Sequence, residues 1–355
     1  MQGELVPESE RRRERQIGFA ETELEQSGIR LELGAPVTGS VAADDHVIVG
    51  FGDGTVRFFK PNQEPITVQA HNGAVLCVAS DQNDAVTGGD DGRFLRISPN
   101  GVTTEIANFG SKWVDCVASH AGLVACSSSR QVHVWVDGRS NAIIFEHVST
   151  VGGLAISDDG NLLAATHFGG VTVRERGRRG WKESKFEWKG SHGPVTFSPD
   201  GVYVVTAMQE RALHGWRLRD NGHFQMPGYP AKIKSFEWVG GTPYLATSGA
   251  DEAICWPFDG KDGPMGRAPV SVARNRRTFA TAVQALRGKS RVLVGFRDGA
   301  VLMAELDETK EPVPIRGSTG IEVTAMTISI DGTHIFVGDA KGNVFWGALS
   351  AGEPS

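Results

Sequence analysis

Histidine and cysteine are the side chains here best suited to metal or nucleophile chemistry, and the chain has ten of one and four of the other. A zinc centre draws on ligands held in short local pairs, such as HxxxH, HExxH or CxxC, that fix its geometry. None of these spacings, nor HxH, occurs. Cys77, Cys116, Cys126 and Cys255 each stand alone in an apolar run. There a free thiol behaves as a small buried hydrophobe, which fits a reducing cytoplasm. No GxSxG elbow is present to raise a serine nucleophile, and no Ser-His-Asp arrangement is suggested. The loop at 260–266, GKDGPMG, has phosphate-loop glycines but no helix after it. Backbone N–H groups and a helix dipole would not converge on a phosphate there. These residues predict no catalytic group, no metal and no cofactor.

The elements that carry such residues are short and β-rich. The stretch 193–218 contains an apolar run at 195–197, the turn Ser-Pro-Asp-Gly at 198–201, and a second run at 202–207. A polar kink at 209–211 leads to a third run ending on Trp216. That is an antiparallel meander. Three short strands leave an apolar face exposed and cannot stand alone. The pattern recurs at 47–59, 85–97, 123–135, 163–174, 204–216, 245–257, 292–304 and 335–347. Copies about forty residues apart have the period of propeller repeats.

The copies resemble WD40 repeats from about residue 28 to 349. Trp135 and Trp216 hold the closing tryptophan place, though neither is followed by Asp. Asp53, Asp91, Asp251 and Asp298 match the acidic turn residue, with Glu210 a longer substitute; Ser129, Gly169 and Lys341 depart from it. His71 and His147 lie four residues ahead of Val75 and Val151, and His192 three ahead of Val195. The resemblance implies that these histidines and acids are structural, tying each turn to its strands. It also implies an all-β, closed propeller of four-stranded blades. Eight blades are expected; the alternative is seven, by merging the fourth or the last copy. The half-apolar run 29–33 is expected to complete the last blade from the N-terminal end. Outer strands are marked at 66–68, 103–107, 142–145, 185–188, 270–272 and 313–315, and poorly near 223–226.

The organisation expected is a charged tail at 1–27, a propeller at 28–350 and a short tail at 351–355. The first 27 residues carry seven acidic and four basic side chains, which suits a solvated segment and neither a secretory signal nor a transit peptide. No apolar run has membrane-spanning length. A net charge of −6 disfavours a general nucleic-acid binder. Two basic patches run against that balance, one at 11–15 and one formed by Arg174, Arg176 and Lys182 around GRRGW at 177–181.

Loops before each first strand and between second and third strands gather on one face of such a ring, and loops on a rigid scaffold usually carry function. On that face fall Lys112, Trp113, His167, Phe168, Gln209, Arg211, Lys232 and Arg297. An aromatic residue flanked by Arg and Lys has the composition of a protein-contact hot spot. Packing of Trp113 and Phe168 against adjacent blades is the competing reading. Residues 190–266 are also similar to a group of bacterial WD40-repeat proteins encoded near CobW-type GTPases. That resemblance implies a cytoplasmic scaffold around metal homeostasis, with a CobW-type GTPase as partner. The function expected is a non-catalytic, monomeric protein-binding platform. The alternative is a propeller enzyme of the metal-dependent lactonase or hydrolase type, acting at the channel mouth.

Overall fold

The computed structural model describes residues 18–136 and 140–349. Each copy found in the sequence forms strands, and outside repeats four and five each strand is short because a turn residue interrupts it. Three turns share one chemistry: Asp159, Asp200 and Asp331 accept from the backbone N–H two residues on, at 3.0 Å each. Ser157, Ser198 and Ser329 accept from the N–H that opens the next strand, at 2.9 Å. Side chains thus replace the backbone partners that a tight turn removes.

The strands assemble into seven hydrogen-bonded sheets, six of four strands and one of six. Taking each hydrogen-bonded sheet as a blade, this corrects the expectation of eight blades to seven, the alternative in which the fourth copy is merged, and the physical reason lies in repeats four and five. There the runs Leu162–Gly177 and Gly180–Phe197 continue as extended backbone through the places where other repeats break. The chain still doubles back at Gly169 and Gly170, whose φ values are +92° and +147°. The Arg176 N–H accordingly reaches the Asn161 carbonyl at 2.8 Å. A Cβ on Gly170 would sit 2.1 Å from the Phe186 carbonyl, so only glycine permits this narrow fold-back. Repeat five then follows without a break: the part of Gly180–Phe197 beyond His192 pairs with Tyr203–Met208. The fourth copy is therefore fused to the fifth, and that one sheet holds both.

First strands of successive repeats are neighbours along an inner ring, and apolar side chains fill the gaps between sheets. Val47, Phe51 and Phe59 pack with Phe336, Val344 and Trp346, which brings the first and last sheets face to face. The Phe59 and Phe336 rings are 5.0 Å apart, within the range where aromatic pairs add to burial. All of this describes a β-propeller. The strand Ile29–Glu32 pairs antiparallel with Asn343–Ala348, Ile29 opposite Trp346 and Glu32 opposite Asn343. The strand near 223–226 is present as Gly222–Met226.

The expected charged tail also needs a correction. Residues 1–17 and 351–355 lie outside the described residues, but 18–27 do not behave as a solvated segment. Glu23–Ser27 is a short helix, α1, capped by Thr22 and Glu25 in a reciprocal pair. Glu25 is buried, accepts from the Gly317 N–H at 2.7 Å and faces the buried Arg316. Arg316 in turn lies 3.5 Å from the fully buried Asp339. The seven acids of this stretch disguised one that is a buried partner.

Candidate functional site

Repeat four departs most from its siblings, and its departure opens a cleft of about 630 Å³. In strands, directly opposed residues share a face. Thr172 opposes Lys185, Arg174 opposes Glu183 and Gly170 opposes Glu187, so one face of this hairpin is charged. The cleft between that face and Glu146–Val148 is lined by both.

At its base is Arg174, buried to 4 % exposure. Its guanidinium lies over the Phe145 ring at 4.3 Å. Nη2 donates to Glu183 Oε2 at 2.6 Å and Nη1 to His147 Nε2 at 2.8 Å. A nitrogen that accepts from arginine cannot carry a proton, so the His147 proton resides on Nδ1. Burial, reinforced by the Arg174 charge, pushes the His147 imidazole down to about 4. Arg174 was grouped by sequence with the exposed basic patch; that grouping is corrected, because Phe145, His147 and Glu183 enclose it. His167 donates from Nδ1 to the Phe168 carbonyl at 2.9 Å and accepts at Nε2 from Thr172 at 3.0 Å. Its ring is 5.8 Å from that of His147.

The three histidines implied to be structural have three different environments. His71 makes the arrangement the resemblance implies: Nδ1 donates to Asp91 Oδ1 and Nε2 accepts from Thr87, each at 2.9 Å. Asp91 also accepts from the Asn72 and Arg93 N–H groups. His192 donates to the Trp188 carbonyl at 2.9 Å, with Thr206 Oγ1 2.7 Å from Nδ1. Glu210 accepts from the Ser191 N–H instead of joining it. His147 has no carboxylate turn partner because Gly169 occupies that place, and Arg174 fills the gap. Asp53 accepts from Thr55, Asp298 from Ala300, Asn275 and Ser318, and Asp251 from Arg274. Trp216 is buried and Trp135 half-buried.

Of the candidate contact residues, only His167 and Phe168 share the cleft. Phe168 and Trp113 are each 60 % exposed, so neither packs away against a neighbouring blade. Val148, at 76 %, is exposed on the cleft rim beside Phe168. Lys112, Gln209 and Lys232 are exposed on other loops of this face. Arg211 donates to the Pro230 carbonyl at 3.0 Å, and Arg297 lies 3.7 Å from Glu322. These residues form an arc over repeats three to seven rather than one patch. Val148, Arg174 and Glu183 were missed as site residues. Only the absence of an acid at Gly169 signalled that this repeat is built differently.

No group of three or more His, Cys, Asp or Glu able to hold a metal occurs among the described residues. No helix among them is long and apolar enough to cross a membrane. No protein-family model matches the chain, and no curated protein does. Among solved structures it is similar to the crystal structure of the computationally designed Ika8 protein. The TM-score is 0.72 at 17 % identity, over 94 % of this chain and 100 % of that one. The likeness extends to the fold, a β-propeller.

Proposed function

We propose that the protein is a non-catalytic interaction scaffold that seats a partner protein on the loop face, with the cleft of repeat four at the centre of the contact. The observation that carries this reading is the exposure of Trp113, Val148 and Phe168 on adjoining repeats at one end of the ring. Large apolar side chains exposed on one face, Val148 and Phe168 of them on the rim of a cleft, favour a partner that covers them. The Arg174 guanidinium, held over the Phe145 ring, forms the floor, and Lys185 and Lys189 are among the residues lining the cleft. The resemblance to bacterial WD40-repeat proteins makes a CobW-type GTPase the first partner to try.

The test is capture by the full chain, both from native cytosol and with a purified CobW-type GTPase. Wild type is compared with Phe168→Asp and Trp113→Ala, each checked by circular dichroism. Loss of a specific partner in the folded variants, by tenfold or more in Kd and about 1.4 kcal/mol, supports the reading. Equal capture by wild type and both variants overturns the placement on this face.

A further inference from the structure

Among the described residues, the outer strand of repeat four is the longest free edge of the ring. It is the first part of Gly180–Phe197, and residues 180–187 pair without interruption with 170–177 on one side only. Pairing with Tyr203–Met208 begins at His192, so on its other side this stretch meets no strand among the described residues. Outer strands of the other repeats run three to six residues.

Which backbone groups face outward follows from one contact. The Phe186 carbonyl lies against Gly170, across the hairpin, and along a strand successive residues turn these groups to opposite sides. The N–H and C=O groups of Lys185 and Glu187 therefore face the unpaired side. Their side chains stand on the solvated face with those of Glu183 and Lys189, all four exposed, while Phe186 is buried in the cluster of Val195, Phe197 and Trp216. Lys185 lies 3.4 Å from Glu183, the partner of Arg174. Glu187 and Lys189 have no hydrogen-bond or ion-pair partner among the described residues.

An unpaired edge of this length is a template for another strand. Charges blunt such an edge when an incoming strand sets like sign opposite like. Paired antiparallel with itself about Phe186, this sequence does the opposite: Lys185 falls opposite Glu187, and Glu183 opposite Lys189, of a second copy. In that register Lys185 and Glu187 are also the residues whose outward N–H and C=O groups meet. A two-fold axis between the two Phe186 residues makes both halves of the contact identical and closes it at two chains. We propose that the protein forms a symmetric dimer in which the 180–187 edges of two copies pair antiparallel about Phe186, in place of the monomer expected from the sequence. The contact rests on a backbone edge and is independent of the loop-face reading.

The test is sedimentation velocity of the full chain over a concentration series at low ionic strength, where exposed charge pairs are least screened. Wild type is expected to show a reversible monomer–dimer equilibrium and no larger species. Lys185→Glu and Glu187→Lys each set like charges opposite one another twice per dimer, and each should weaken it at least about tenfold. The double exchange should restore the dimer. So should an equal mixture of the two single variants, because each then brings the sign that the other lacks. That mixture decides the matter even if the double variant does not fold. Four results would each overturn the proposal: wild type monomeric throughout, association that continues past two chains, single variants folded by circular dichroism that dimerise like wild type, or a mixture no stronger than its components.

Discussion

His214 shows how much a single side chain can depend on what surrounds it. It is fully buried, stacked on Trp188 at 4.2 Å and on His223 at 5.3 Å, and neither ring nitrogen has a hydrogen-bond partner among the described residues. Burial first, and then the charges of His223 and His192, push it down to about 3. His147 is held near 4 by burial and Arg174. Both therefore stay neutral in the fold at a pH where the unfolded chain, titrating near 6.5, has taken up protons. Their stabilising contribution is fully present above about 6.5 and is lost as pH falls towards 4 and then 3. Replacing His214 by Phe keeps the stack and removes the titration. The expected outcome is a smaller loss of stability between pH 7 and 4.5 than in wild type, read from urea midpoints. At pH 7 the change should stay within about 1.5 kcal/mol. An identical loss in both proteins would show that His214 plays no part in the acid response.

At the scale of elements, α1 is too short to be stable by itself. Its position comes from the capping pair and from two contacts with the outer strand Val313–Arg316 and its end. Thr22 donates to the Ile315 carbonyl at 2.8 Å, and Glu25 accepts from the Gly317 N–H. Thr22→Ala removes the cap and that donor together. The expected cost is about 1–2 kcal/mol, measured by thermal or urea unfolding. Thr22→Ser keeps both bonds and should recover most of it. If Thr22→Ala has no effect, the segment is not anchored through its cap.

At the scale of the molecule, the two ends of the described chain meet in one sheet. Ile29–Glu32 covers the edge that Asn343–Ala348 would otherwise expose. An uncovered edge strand is a template for pairing with another chain. Deleting residues 1–32 is expected to produce species larger than any the full chain forms at the same concentration, in light scattering behind size exclusion. A truncated chain that keeps the full chain's association state would mean that this pairing does not protect the edge.

The repeats, the β class and the turns were legible in the sequence because they rest on local facts. Alternation sets the faces of a strand, and Asp-Gly or Ser-Pro-Asp-Gly breaks it, whatever lies elsewhere in the chain. The acid partner of His71 was legible too, twenty residues away in the same repeat unit. What could not be read depends on which repeats touch. Arg174 looks like one of several exposed arginines until Phe145, from the outer strand of repeat three, and His147, ahead of repeat four's first strand, close over it. The narrow fold-back of repeat four likewise needs Gly170 to lie against the Phe186 carbonyl. Local chain chemistry determined the strands and turns. Only the tertiary structure decided which charges lost their water, because desolvation depends on neighbours that the ring brings together.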